Sequence, residues 1–357
     1  MKTLSVIIPT YNMAALLPRC LESLVAAQGA EETLETIVVN DGSKDNSLEV
    51  AQDYQKKYPK IVTVIDKPNG NYGSTINAAL PVAQGKYVKI LDSDDWFDTE
   101  VLGKYLGVLE KVDVDMIVTH FTQIGATTRE VVKYNTMGRE PYEYGKVYDL
   151  DEVLQGGYIR YFLMHALTYR TELLRKIGYR QTEGISYTDT EWSCYPTFYA
   201  KTIYFCNLNL YQYNLDREGQ TMDPKVMQKS ANQLQILTDN MIAYYEAHIS
   251  EVSESRHKWL RIYFSNRMRM LYKLYLLDMP RGDFKAEDLT AIDDKYALAC
   301  ERNGWMIQLY PDNKILRTEY ISYWHKHHQR WPKWYENLNH FVDVIVKYLY
   351  IKIFRHA

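Results

Sequence analysis

The sequence predicts an α/β protein, with a mostly parallel sheet in its first part and a helical extension in its last. Three observations predict this. Short apolar, β-branched runs alternate with stretches of helical periodicity through the first 120 residues. Polar and glycine-rich residues gather where those runs end. Beyond Thr221 the alternation gives way to long amphipathic stretches. We therefore expect one domain over residues 1–220 and a helical extension over residues 221–357.

Leu4 to Pro9 is a continuous apolar run, the pattern of a strand covered on both faces. Met13 to Gln28 follows, with Leu16, Leu17, Cys20, Leu21 and Leu24 at helical spacing. The unit repeats as strand Leu34 to Val39 with helix Ser47 to Tyr58, then as strand Ile61 to Ile65 with helix Ser74 to Ala83. A fourth strand runs from Lys86 to Leu91, a helix lies near Val101 to Lys111, and a strand lies near Met116 to Phe121. Residues 122–220 read as short strands and turns with two helices, Thr171 to Ile177 and one beginning near Asp189. Val226 to Ala247 and Arg256 to Leu277 read as long amphipathic helices, with more helix from about Asn313 onward.

Composition narrows the class. Hydrophobic residues at 46% and charged residues at 24% suit a soluble globular protein and disfavour disordered, collagen-like and membrane-spanning chains. No run approaches the roughly 18 apolar residues of a spanning helix, and the apolar stretch Leu4 to Ile8 is too short for a secretory signal. Cys20, Cys194, Cys206 and Cys300 are scattered without a CxxC pair, so neither a zinc site nor a disulfide framework is indicated and a reducing cytoplasm is expected. The 32 tyrosines suit half-buried surfaces and carbohydrate stacking as well as plain core filling.

Open parallel sheets bind ligands beyond the carboxyl ends of their strands, which directs attention to the loops starting at Pro9, Asn40, Asp66 and Asp92. In the last of these, Asp92, Ser93, Asp94 and Asp95 directly follow an apolar strand. Three neighbouring carboxylates repel unless a cation or backbone donors sit among them, and Mg²⁺ or Mn²⁺ takes such oxygen ligands together with substrate phosphates. Capping of the next helix by Asp94 or Asp95 is the competing structural reading. The second strand ends in Asn40-Asp41-Gly42-Ser43, with Asp45 just beyond. Gly42, Ser43 and Asp45 read as turn and cap, whereas Asp41 suits a buried acceptor for the N–H edge of a base. The glycine-rich segment from Lys67 to Ser74 matches neither common phosphate-loop pattern.

Taken together, SVIIPTYN, the Leu-rich helix ending at Gln28, IVVNDGSKDNS, NGNYGSTINAAL and GKYVKILDSDDW resemble the inverting family 2 glycosyltransferases with the GT-A fold. The resemblance covers about residues 3–120 in order and spacing and continues more loosely to about 220. It implies a Rossmann-like nucleotide-binding sheet, a catalytic domain over 1–220, and transfer of a sugar from a nucleotide-diphosphate sugar, with UDP as its nucleotide. The acceptor implied is a hydroxyl of a glycan, a polysaccharide or a lipid-linked oligosaccharide. By position, Pro9, Thr10 and Tyr11 match the loop that holds the base, and Asp41 matches the acid that contacts it. Asn71, Gly73 and Asn77 fall in the segment lining the nucleotide pocket. Asp92 and Asp94 match the D-x-D pair around Ser93 that meets ribose and metal, with Mn²⁺ or Mg²⁺ as cofactor. Asp95 is then a support or a cap. Asp189 matches the general base, with Thr188 where the family commonly has Glu. Glu191 rivals Asp189 for that role, and N-capping is the structural alternative for Asp189. Arg217 and Gln220 match a segment that approaches the diphosphate.

Two other functions fit less well. A sugar nucleotidyltransferase shares the architecture but calls for a Gly-rich, basic loop after the first strand, where this chain has Pro9-Thr10-Tyr11-Asn12. A non-catalytic binding protein on the same fold has no need of the metal and base candidates.

From Asn313 onward, eight Lys and Arg against three acids give a surplus of +5 and leave −8 for the rest of the chain. Trp331, Trp334, Tyr335, Leu338, Phe341, Val342, Ile345, Tyr348, Leu349, Ile353 and Phe354 recur there at roughly helical spacing. Two expectations follow. One is docking on the catalytic domain or on a second copy in a homodimer; the other is peripheral contact with the inner face of the membrane near a lipid-linked acceptor. A modest surplus spread over 45 residues disfavours nucleic acid.

Overall fold

The computed structural model describes residues 2–133, 142–159, 161–215, 224–305 and 319–334. Four strands, β1 (Leu4–Thr10), β2 (Leu34–Asp41), β3 (Val62–Lys67) and β4 (Tyr87–Ile90), lie parallel in the order β3-β2-β1-β4. Every residue of β1, β2 and β4 is buried, as their unbroken apolar runs require. Between them run α1 (Leu17–Val25), α2 (Ala30–Thr33), α3 (Ser47–Lys57) and α4 (Asn71–Ala79). The buried face of α1 is Leu17, Cys20, Leu21 and Leu24, the stripe read from its spacing.

The chain progresses from β1 outward to β3, then returns to the other side of β1 as β4. The loops after β1 and β4 therefore diverge, which opens a crevice at the carboxyl edge of the sheet. Pro9 fits this place. Pairing of β1 with β4 runs only from Leu4↔Tyr87 to Ile7↔Ile90, and Leu91 N–H donates to Ile7 O at 3.0 Å. Pro9, two residues on and facing the same side, lies past the end of that ladder, so its missing N–H leaves no bond unmade.

Beyond β5 (Trp96–Phe97) and α5 (Thr99–Lys111), β6 (Met116–Ile124) continues the sheet, with β7 (Arg129–Val132) paired to its edge. β8 (Val147–Asp149), α6 (Leu150–Gln155), β9 (Leu167–Arg170), α7 (Thr171–Lys176), α8 (Asp189–Cys194) and β10 (Thr202–Asn214) follow. β9 is inserted antiparallel between β4 and β6, while β10 runs parallel to β6 and takes β5 antiparallel at its far edge. The result is a mixed, mostly parallel sheet.

The expected long helices are interrupted. Val226 to Ala247 is α9 (Pro224–Lys229) and α10 (Ala231–His248), and Arg256 to Leu277 is α11 (Glu254–Lys273) ending in a π turn, Leu274–Asp278. α12 (Ala286–Asn303) and α13 (Glu319–His327) follow. Two compact units emerge, one of Met1–Thr221 with Asn232–Tyr263, the other of Met222–Ala231 with the chain from Phe264 onward. The sequence reading divided the chain once, at 220/221; here Asn232–Tyr263 returns to the first unit. Side chains explain that return. Gln233 Oε1 accepts from Ser186 N–H at 2.9 Å and Asn240 Nδ2 donates to Thr182 Oγ1 at 3.0 Å. The buried Arg256 guanidinium donates to Phe198 O (2.7 Å), Ala200 O (2.6 Å) and Asp151 Oδ1 (2.7 Å). Of the expected tail stripe, Trp331 is buried and Trp334 is 68% exposed; Tyr335 to Phe354 lies outside the described residues. No described helix is long and apolar enough to cross a membrane.

Candidate active site

The loop after β4 is a tight turn in which Asp95 N–H donates to Asp92 O at 3.0 Å, with Ser93 buried inside it. The cap of α5 is Asp98, whose carboxylate accepts from Val101 N–H at 3.1 Å, so neither Asp94 nor Asp95 serves as that cap. Asp92 Oδ1 accepts from Tyr72 OH at 2.8 Å. Asp95, 1% exposed, accepts from Tyr211 OH at 2.5 Å and Asn214 N–H at 2.7 Å. The same Tyr211 oxygen accepts from Asp92 N–H at 3.2 Å, tying the two acids together. Burial first, then the charges of Asp94 and Asp92, hold the Asp95 carboxyl well above the usual carboxylate range.

One atom each of Asp92, Asp95 and His165 lie within 4.8 Å of one another. The expected pair is Asp92 with Asp94; the cluster among the described residues instead joins Asp92 to Asp95, which the turn brings back toward it, and does not include Asp94. His165 was not anticipated. It lies in the single turn Met164–Ala166 that leads into β9. In the sequence it is a lone histidine in the apolar stretch FLMHAL, which ordinarily signals core. Burial and the nearby Lys89 ammonium push its imidazole pKa down to about 3, so the ring is neutral. Its Nδ1 is buried without a hydrogen-bond partner. Lys89, wholly buried and itself pushed down to about 7 by desolvation, donates to His165 O at 2.8 Å and Leu167 O at 3.0 Å.

The donor set fits a divalent cation. Two ionised carboxylates at such a separation repel by about 3 kcal/mol at an effective dielectric of 20. A dication offsets that repulsion, and a neutral imidazole with an open nitrogen is a competent ligand.

The remaining nucleotide-pocket candidates divide into two groups. Pro9 and Thr10 are buried at the end of β1, and Tyr11 is 42% exposed at its mouth. Asn71 opens α4 with φ +62°, beside Tyr72. Asp41 is buried, and its Oδ1 accepts from Lys67 Nζ at 2.6 Å and Gly70 N–H at 2.9 Å, holding the glycine-rich loop against the end of β2. Gly73 and Asn77 face the segment 181–183. Asn77 donates to Gln181 O (2.9 Å) and Glu183 Oε1 (2.8 Å) and accepts from Gln181 N–H (2.9 Å). A Cβ on Gly73 would fall 2.1 Å from Thr182 O. Both residues, expected in the segment lining the nucleotide pocket, pack against residues 181–183. Gly73→Ala is expected to cost about 1–3 kcal/mol of stability, read as a lower denaturant midpoint, because backbone blocks the methyl. An unchanged midpoint would show that the segment yields freely. Arg217 and Gln220 lie outside the described residues.

The two base candidates are now distinguishable. Glu191 is fully buried and its carboxylate is engaged: Oε2 accepts from Thr182 N–H (2.7 Å), Oε1 from Thr182 Oγ1 (2.7 Å) and Tyr195 OH (3.1 Å). As placed, this carboxylate, the rival base candidate, braces Thr182 and Tyr195. Asp189 is half-buried at the first position of α8, with Thr188 in the cap position, so Asp189 is not the cap. The preceding Tyr187 sits at φ +69°, an unusual conformation for an aromatic residue. The charge of Asp189 acts on two tyrosines that also feel the acid cluster. Burial, then Asp92 and Asp189, raise the Tyr72 hydroxyl, and burial followed by Asp95, Asp92, Asp94 and Asp189 pushes Tyr213 up to about 12.

The family model described as Glycosyl transferase family 2 matches residues 5–178. An uncharacterised glycosyltransferase of Mycoplasma pneumoniae is 38% identical over 122 residues, 34% of this chain and 41% of its own length. The poly(ribitol-phosphate) beta-glucosyltransferase of Bacillus spizizenii is 39% identical over 100 residues, 28% of this chain and 16% of its own length. The matched region thus spans well under half of each relative. In fold, the chain is similar to S. aureus TarS 1-349 solved with UDP-GlcNAc, at TM-score 0.50 and 21% identity over 77% of this chain and 81% of that one. Over residues 5–178, just under half of the chain, the sequence is thus similar to glycosyl transferase family 2.

Proposed function

We propose that the chain transfers a sugar from a nucleotide-diphosphate sugar, with UDP as its nucleotide, to an acceptor hydroxyl of a glycan, polysaccharide or lipid-linked oligosaccharide, with inversion at the anomeric carbon. The observation that carries the reading is the cluster of Asp92, Asp95 and His165, together with the charges of Asp92 and Asp189 that both raise the Tyr72 and Tyr213 hydroxyls. Tyr11 and the loop held by Asp41 flank the nucleotide. Asp92, Asp95 and His165 hold a divalent cation, Mn²⁺ or Mg²⁺, which when bound neutralises charge on the leaving diphosphate. Asp189 takes the proton of the attacking hydroxyl. A direct displacement of this kind uses no covalent enzyme nucleophile and inverts the centre it attacks.

A thermal-shift series of UDP-glucose, UDP-N-acetylglucosamine and GDP-mannose, each with Mn²⁺, tests the donor. Saturation at about 100 times Kd adds about 2.7 kcal/mol, which for a chain of this size raises Tm by about 3–4 °C. No rise with any nucleotide sugar would overturn the reading.

A further inference from the structure

A groove of about 690 Å³ lies between α1 and the start of α5, within the first unit, and none of the residues lining it belongs to the acid cluster. Arg19 and Glu22 stand three residues apart on α1, a spacing at which opposite charges ordinarily pair. Here they do not. The Arg19 guanidinium lies over the Trp96 ring, 3.1 Å from its centroid, and Glu22 Oε1 accepts instead from Tyr54 OH at 2.8 Å. The Glu100 carboxylate, in the first turn of α5, enters no ion pair among the described residues. The floor between these groups is already satisfied. Ser23 Oγ accepts from Phe97 N–H at 3.1 Å and donates to Cys20 O at 2.6 Å, Thr99 Oγ1 donates to Ser23 O at 3.1 Å, and Asp98 caps α5. The groove is therefore preformed, and an occupant meets open donors and acceptors on its walls without breaking bonds in its floor.

The chemistry of the lining selects the class of occupant. One cation, Arg19, against the three carboxylates of Glu22, Asp98 and Glu100 leaves a surplus of −2, which repels phosphodiesters, nucleic acid and anionic lipid. A cationic partner is disfavoured too, because the guanidinium already occupies a face of the Trp96 ring. Neighbouring hydroxyls of a sugar fit both walls. The carboxylates accept from their O–H groups, the guanidinium donates to their oxygens, and the indole packs on the C–H groups of the sugar ring. We propose that this groove is a second carbohydrate-binding site, for neutral sugar units, separate from the reaction centre. On the transfer reading, on which this identification rests, the occupant is a stretch of the glycan acceptor beyond the sugar that reacts. Trp96 directly follows Asp95 in the chain, so the groove and the acid cluster share one loop and a glycan seated in the groove stays tethered to it.

The test is titration of the full chain, carrying ¹⁵N-labelled tryptophan, with cellotetraose, maltotetraose and chitotetraose, followed in the seven indole N–H signals. The Trp96 signal is assigned by its absence in Trp96→Phe or, should that variant not fold, by its displacement in Arg19→Ala, where only an exposed side chain is removed. Expected is a saturable displacement of the Trp96 signal by at least one of the three at up to about 10 mM, where a site of roughly millimolar affinity is filled. Glu100→Ala should weaken that binding about tenfold, the size of one charge-assisted hydrogen bond. Inorganic polyphosphate should leave the signal in place. No displacement by any of the three sugars, or displacement by polyphosphate instead, overturns the inference. The donor thermal shift on the same preparation keeps the two readings apart. A silent groove in a protein that a UDP-sugar stabilises leaves the transfer reading standing. A filled groove in a protein that no nucleotide sugar stabilises removes transfer and leaves the carbohydrate site.

Discussion

Asp189→Asn is expected to reduce transfer by about 10²–10⁴-fold, the usual contribution of a positioned general base, while leaving the UDP-sugar thermal shift intact. Asp189 stands half-buried at the first turn of α8, and its charge acts on Tyr72 and Tyr213, which also feel the acid cluster. The amide is nearly the same size, so the fold and donor pocket are retained. The measurement is steady-state transfer beside donor-induced stabilisation in the same preparation. If turnover falls by less than about tenfold, far short of a base's share, Asp189 is not the base. If turnover and donor stabilisation disappear together, its role is in donor binding.

Glu191→Ala is expected to act in the opposite sense, by unfolding the site rather than stopping a step. The carboxylate accepts hydrogen bonds from Thr182 N–H, Thr182 Oγ1 and Tyr195 OH with no exposure to solvent. Truncation leaves buried donors unmatched at roughly 1–3 kcal/mol each and opens a cavity. A total loss of about 3–5 kcal/mol is expected, read from the urea midpoint. Glu191→Gln is expected to be milder but still destabilising, because its NH₂ must face a donor. A fully stable, inactive Glu191→Gln would restore Glu191 as a base.

The contrast between these two acids shows what sequence carries and what it does not. β1, β2, β4 and the buried face of α1 are written in local periodicity, and their strand ends pointed to Asp92 and Asp41 because polar residues stand out after apolar runs. Attention to Asp92 and Asp189 comes from the family resemblance. Nothing local distinguishes Asp94 from Asp95; the difference arises from Tyr211 and Asn214, more than a hundred residues away. His165 was illegible for a related reason. Its place depends on the antiparallel insertion of β9 between β4 and β6, with Val88 opposite Tyr169. Gly73 and Asn77 read as pocket residues because glycine and asparagine serve phosphate loops and close packing equally well. In the structure a Cβ on Gly73 would fall 2.1 Å from Thr182 O, a long-range contact that no local pattern announces.

The return of Asn232–Tyr263 to the first unit also bears on how the protein comes into being on the ribosome. The segment carrying Asp189 is pinned by Gln233 and Asn240, and the entry to β10 by Arg256. All three partners are made after the strands they secure. A nascent chain that has emerged through β10 therefore has its sheet but no bracing behind the turn that carries Asp189. Contacts of such long sequence separation form late, since the loops they close must be ordered first. Sugar transfer and resistance to proteases should accordingly appear together during translation, and only once α11 has cleared the exit tunnel.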